Sequence, residues 1–161
     1  MKLLKLTTLP LLFLVSTMVL TSCEKKVEEK VQVEFSKKGI VLSAAQETPA
    51  NASTALGFMD VFYSRETRFL TYTVKWSGLT APPILMHIHG QAPFGFAAGV
   101  FQTILSAANP TLFPATGSYS GSLLIDGAAV KEENLLNGFY YMNIHTPLNP
   151  GGEIRGQITF N

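Results

Sequence analysis

The sequence contains little charge and a single cysteine. Charged residues make up 14% of its 161 residues, and the formal net charge is +1 at pH 7. This balance excludes a protein that binds nucleic acid through a strongly basic surface. One cysteine cannot form an internal disulfide, a thiolate zinc cluster or a CxxC redox site. A hydrophobic content of 47% indicates a core-forming protein, and the length is that of one domain.

The first 22 residues have the pattern of a secretory signal peptide. Lys2 and Lys5 precede an apolar run from Leu6 to Leu20, which is shorter than the roughly 20 residues of a membrane-spanning helix. The Leu-Thr-Ser-Cys sequence that ends at Cys23 resembles the bacterial lipobox, whose cysteine is acylated and becomes the new N-terminus. We therefore predict a lipoprotein signal peptide over residues 1–22, with a lipid membrane as the partner of acylated Cys23. The alternative is a plain signal peptide followed by an incidental cysteine.

A highly charged stretch follows the cysteine. Nine of the fifteen residues at 24–38 are charged, with alternating sign, so this stretch has little to bury. We predict that residues 23–38 form a solvated tether that holds the following domain away from the lipid surface. The predicted location is the bacterial cell envelope, on the extracytoplasmic side.

Residues 39–161 have the sequence pattern of an all-β domain. Short runs rich in Val, Ile, Phe, Tyr and Thr alternate with Gly, Pro, Asn and Ser, which predicts an antiparallel β-sandwich or barrel. Residues 126–138 contain helix formers and end in glycine, which predicts one short connecting helix. The predicted strands are 39–45, 55–63, 68–77, 84–90, 98–105, 117–125, 139–146 and 152–160.

All three histidines of the chain lie in two of these predicted strands. His87 and His89 are two residues apart, so both project from one face of a strand, with Cα atoms about 6.5–7 Å apart. His145, on another strand, completes three nitrogen ligands of the kind that zinc and copper prefer. The alternative is structural, with the rings hydrogen-bonded to loop carbonyls. Three histidines are too few for a two-metal copper–zinc cluster.

The C-terminal segment offers two further charged side chains. Glu153 and Arg155 are two apart and share a face in a strand, which predicts a structural salt bridge or a clamp on loop carbonyls, with ligand contact as the alternative. Glu153, Asp126 or water are the candidate oxygen ligands for a metal. The sequence shows neither a nucleophile elbow nor a glycine-rich phosphate loop. It therefore favours a non-enzymatic role.

Four blocks of the sequence together resemble the CHRD domain, which takes its name from chordin. They are residues 42–49, Gly57, residues 87–90 and residues 141–158. The resemblance covers about residues 40–160 and implies an immunoglobulin-like β-sandwich or barrel. The growth-factor partners of chordin do not transfer to a bacterial lipoprotein. The matching signature positions are Gln46, Glu47, Pro49, His87, His89, Gly90, Asn143, His145, Gly151, Gly152, Glu153, Arg155 and Gly156.

The loop after the first histidine pair departs from that pattern. Phe94 and Phe96 occupy a loop that is small and polar in relatives, which predicts an exposed apolar contact for a protein or glycan ligand. Among the signature residues, Glu47, Asn143, Glu153 and Arg155 are predicted to support the histidines or the fold.

The leading hypothesis is a membrane-anchored, extracytoplasmic CHRD-domain lipoprotein that acts as a non-enzymatic binding or structural module. The alternative is a copper- or zinc-binding protein that uses His87, His89 and His145 for metal handling or redox chemistry. No nucleic-acid partner and no certain cofactor are predicted.

Overall fold

The computed structural model describes residues 31–106 and 113–160. The predicted signal peptide, Cys23 and the first part of the predicted tether lie outside these residues. No helix in the described part of the chain has both the length and the apolar character needed to cross a membrane.

Residues 31–106 and 113–160 contain eight strands, one single-turn helix and one 3-10 turn. All eight predicted strands are present, with shifted ends. The 3-10 turn is Ala44–Gln46 and the helix, α1, is Glu132–Leu136. The strands are β1 (Glu34–Ser43), β2 (Leu56–Ser64), β3 (Phe69–Ser77), β4 (Leu85–Gly90), β5 (Val100–Leu105), β6 (Gly117–Leu124), β7 (Tyr140–His145) and β8 (Ile154–Gln157).

The strands form one antiparallel sheet in the order β5-β4-β7-β8-β1-β2-β3-β6. The sheet curls until its two outermost strands meet, and Gln102 of β5 joins them. Its side-chain amide donates to Ser122 O of β6 over 2.8 Å, and its Oε1 accepts from the Tyr72 hydroxyl of β3 over 2.9 Å. The predicted all-β, antiparallel sandwich or barrel is confirmed, in the form of a nearly closed barrel-like sheet.

The inner face of the sheet carries the hydrophobic core. In β3, Leu70, Tyr72, Val74 and Trp76 are at most 3% exposed, whereas Thr71 is exposed. Successive side chains of a strand point to opposite faces, so this alternation means that one face of β3 is buried and the other is exposed to solvent. Met86, Ile88, Met142, Ile144 and Ile154 complete the core from β4, β7 and β8, each fully buried.

The predicted tether is too long at its C-terminal end, because β1 begins at Glu34 and takes up the last five residues of the range 23–38. Phe35 explains the difference. Its ring lies 6.1 Å from that of Tyr63 and 6.0 Å from that of Phe160, so the charged stretch already contains a residue that packs on the domain. The register shifts between Lys37 and Ile40. Glu34 and Lys38 are exposed, whereas Lys37 is half-buried.

The connecting helix is shorter than predicted. Residues 126–131 form a turn in which Asp126 Oδ1 accepts the backbone N–H groups of Ala128 and Val130. Gly127 has a φ of +81°, which lies outside the helical region and prevents the helix from starting at Asp126. The single turn of α1 then leads into β7.

Candidate functional site

Polar residues of the signature blocks meet on the outer face of β4, β7 and β8, opposite the core. Pairing of β4 with β7 places His87 beside Asn143, and pairing of β7 with β8 places Asn143 beside Arg155. Alternation along β7 puts Tyr141, Asn143 and His145 on the same face. The face therefore gathers His87, His89, Tyr141, Asn143, His145 and Arg155.

Loops cover this outer face, so every residue of β7 is buried. Several hydrogen bonds hold the loop at 91–99. Among them, Arg155 Nη1 donates to Phe96 O over 3.0 Å, and Ala98 N donates to the Tyr141 hydroxyl over 3.1 Å. A second loop runs from β7 to β8 and contains Pro150. The result is a layer of polar side chains that is shielded from solvent and must satisfy its hydrogen bonds internally.

The structure brings the three histidines together. One ring nitrogen from each of His87, His89 and His145 lies within 4.8 Å of the others, and His87 Nδ1 is 3.3 Å from His145 Nε2. Two nitrogens bound to one tetrahedral zinc ion are about 3.4 Å apart, because Zn–N bonds are about 2.0–2.1 Å long. A pair at the 4.8 Å limit would thus need to close by about 1.4 Å. His87 is partly exposed, so its ring has room to move.

Loop carbonyls fix the orientation of the other two rings. His89 Nδ1 is 3.0 Å from Ala98 O, and His145 Nδ1 is 2.9 Å from Pro150 O. A carbonyl oxygen can only accept, so both Nδ1 atoms carry a hydrogen. Both Nε2 atoms then face Asn143 Oδ1, each at 3.0 Å. The rings thus make the loop contacts of the structural alternative while their other nitrogens converge.

The histidines are held in the neutral form. Burial, followed by the neighbouring His145 and His89, lowers the pKa of His87 to about 4. Burial also lowers the pKa of His89 and of His145. At neutral pH each ring therefore keeps one nitrogen lone pair, the form in which imidazole binds a metal.

Glu47 and Arg155 are two buried ionisable side chains that interact electrostatically. Burial raises the pKa of Glu47 to about 7, opposed by the Arg155 guanidinium and by a hydrogen bond from the Asn143 side chain. Glu47 Oε1 and Arg155 Nε have no hydrogen-bond partner among the described residues, so neither charge is fully satisfied. Gly152 makes room for this carboxylate, because a Cβ there would collide with it.

Tyr141 links Arg155 to the histidines. The Arg155 guanidinium carbon lies 3.4 Å from the centroid of the Tyr141 ring, a cation–π contact. The His89 ring stacks on the same tyrosine, with centroids 4.8 Å apart and an interplanar angle of 5°. Sequence reasoning missed Tyr141, although its position two residues before Asn143 already placed it on the same face.

The predicted salt bridge between Glu153 and Arg155 is wrong. Glu153 precedes the first residue of β8, so the two-residue periodicity of the strand does not extend to it. Its carboxylate is fully buried and accepts hydrogen bonds from Ser53, Thr80 and Thr146. Arg155 instead makes the other predicted interaction, the clamp on a loop carbonyl, through Phe96 O.

The remaining candidates lie apart from the histidines or outside the described residues. Asp126 is engaged in its own turn, as described above, so neither it nor Glu153 supplies an oxygen to the cluster. Phe94 and Phe96 are 60% and 65% exposed, and their role in docking a protein or glycan stays a prediction. Cys23 lies outside the described part of the chain.

The fold and the site define an all-β domain with a shielded polar cluster on one face of its sheet. A family model described as the CHRD domain matches residues 39–158, and the chain belongs to this family. Comparisons with curated proteins and with solved structures gave no match. Membership in the family supports a binding or structural module.

Replacing Glu47 by glutamine is expected to change the pH dependence of stability. The pKa of Glu47 is about 7 in the folded protein against an ordinary 4.5, so the stability that Glu47 contributes to the wild-type protein is lost as the pH rises from 4.5 through 7. The Glu47→Gln variant has no such proton to lose. Its free energy of unfolding should therefore increase relative to that of the wild type by up to about 3 kcal/mol between pH 4.5 and 7.

Urea denaturation at several pH values between about 4.5 and 8 measures this difference. The exposed Glu66→Gln variant serves as the control for removing a surface carboxyl group. A difference between Glu47→Gln and wild type that stays constant or shrinks with rising pH contradicts the account of Glu47.

Proposed function

We propose that this CHRD domain is a binding module whose ligand is a single zinc or copper ion held by His87, His89 and His145. The observation that carries the proposal is the convergence of one nitrogen from each of the chain's three histidines within 4.8 Å. Imidazole nitrogens are preferred ligands of both metals. The function that follows is metal handling or redox chemistry at the surface of the domain.

The surroundings of the rings support this proposal. Metal-bound histidines commonly donate their second ring N–H to a carbonyl or carboxylate, which fixes the tautomer and aims the free nitrogen at the metal. His89 and His145 have this arrangement, through Ala98 O and Pro150 O. The partly exposed His87 lies at the solvent side of the cluster and offers an entry path.

The His87→Ala variant tests the proposal at little cost to the fold. We expect the purified full-length wild-type protein to bind one zinc or copper(II) ion per chain in calorimetric titration and elemental analysis. Loss of His87 removes one of three ligands, so affinity is expected to fall by more than the roughly 10- to 100-fold that loss of an outer-shell partner costs.

The matched control is Thr103→Ala, which changes an exposed residue paired with His87 on β5 and leaves all three rings in place. Thermal unfolding of both variants checks that they fold. The proposal fails if the wild-type protein binds neither metal, or if His87→Ala and wild type bind with equal affinity.

We also propose that the mature chain is a lipoprotein of the bacterial cell envelope, anchored on the extracytoplasmic side through Cys23. The support is in the sequence, where the chain's one cysteine lies three residues after the end of the apolar run at Leu20, preceded by Thr21 and Ser22. Several acyl chains on one residue give a firm anchor, because each buried methylene contributes about 0.8 kcal/mol. The charged stretch after Cys23 then separates the domain from the lipid.

Replacing Cys23 by alanine is expected to release the protein from the membrane. In detergent-free fractionation the wild-type chain should pellet with membranes, and the Cys23→Ala variant should not. The Ser22→Ala variant, which keeps a small residue before the cysteine, is the control and should still pellet. A Cys23→Ala protein that pellets like the wild type overturns the anchoring proposal.

A further inference from the structure

The amide oxygen of Asn143 occupies a central position in the histidine cluster. It lies 3.0 Å from His89 Nε2 and 3.0 Å from His145 Nε2, and the residue is only 3% exposed. Asn143 is two residues from His145 on β7 and directly opposite His87 on β4. His89 lies on the same face of β4 as His87, so Asn143 is close to all three rings. Its side chain therefore belongs to the cluster as closely as the imidazoles do.

The contacts of Asn143 Oδ1 with the Nε2 atoms of His89 and His145 lack hydrogen atoms to donate. The Nδ1 hydrogens of His89 and His145 are used on loop carbonyls, so neutral rings present bare Nε2 atoms to the amide oxygen. An amide oxygen is itself only an acceptor. Neither contact of Asn143 Oδ1 with these Nε2 atoms then contains a hydrogen, although His87 Nδ1 can donate to His145 Nε2 over 3.3 Å. A cation would stabilise this arrangement.

Turning the Asn143 amide around would remove the conflict by offering its NH₂ group to both rings. Glu47 opposes that orientation in its ionised form, because the Asn143 side chain donates a hydrogen bond to the carboxylate and lowers its pKa. The reversed amide would direct its oxygen at the carboxylate and lose that bond. Glu47 thus acts as a positioning residue that keeps the oxygen directed at the histidines.

We propose that Asn143 Oδ1 is the fourth ligand of the metal site, an inference that rests on the proposed function and completes a centre of three nitrogens and one oxygen. A 3.0 Å separation between neighbouring ligand atoms is close to what bonds of about 2.0–2.1 Å produce around one ion.

Oxygen and imidazole ligands suit divalent zinc and copper, whereas sulfur ligands select Cu(I). Met86 and Met142 are fully buried in the core beneath β4 and β7, so the site is expected to prefer the divalent ions.

Two variants of Asn143 separate a ligand from a structural residue. Asn143→Asp keeps an oxygen at the ligand position and loses the N–H that reaches Glu47, whereas Asn143→Leu loses both. If Asn143 is a ligand, Asn143→Leu weakens zinc binding by at least about tenfold and changes the copper(II) electron paramagnetic resonance spectrum. Asn143→Asp is then expected to retain zinc affinity within about threefold of the wild type, or to exceed it. A merely structural role predicts that both variants weaken binding alike.

A crystal structure of the zinc-loaded wild-type protein tests the same point without any variant. The expected distance from zinc to Asn143 Oδ1 is about 2.0–2.2 Å. A zinc ion held by the three histidines with Oδ1 more than about 3 Å away overturns the inference and leaves the proposed function intact. Equal weakening in both variants, or an unchanged copper spectrum in Asn143→Leu, overturns it in the same way. Absence of any zinc or copper binding by the wild type overturns both proposals.

Discussion

Shielding of the outer face of β4, β7 and β8 obliges its polar side chains to find partners within the protein. A buried polar group without a partner costs free energy comparable to a lost hydrogen bond. The covering loops supply some of these partners through Ala98 O, Pro150 O and Phe96 O. The loops and the face therefore stabilise each other, and the positions of the rings depend on both.

A continuous chain of contacts follows from this constraint. Glu47 accepts from Asn143, whose oxygen faces His89 and His145, and His145 in turn lies 3.3 Å from the partly exposed His87. Arg155 lies near Glu47 and packs on Tyr141, which stacks on His89. These contacts connect the buried Glu47 with the ring that faces solvent. The residues that make them are largely the ones that identify the CHRD family.

The sequence predicted the parts of the site that depend on local geometry. Two-residue spacing placed His87 with His89 on one face of a strand, and the eight strands followed from composition and turn residues. Which strands become neighbours is a long-range property, so the contact between His87 and Asn143 could not be derived from spacing alone. The failure of Arg155 to pair with Glu153 depends on where β8 begins, a boundary that alternation does not fix. The carbonyls that orient His89 and His145 depend on loop conformation.

The protonation of the imidazole nitrogens is the most direct measure of the central claim that bare ring nitrogens converge on one point. With only three histidines in the chain, nitrogen-15 NMR at neutral pH can resolve all six ring nitrogens. The account predicts neutral rings for His89 and His145, protonated at Nδ1 and bare at Nε2, with the Nε2 resonances shifting when zinc is added. Rings protonated at Nε2, or Nε2 resonances that zinc leaves unchanged, would contradict it.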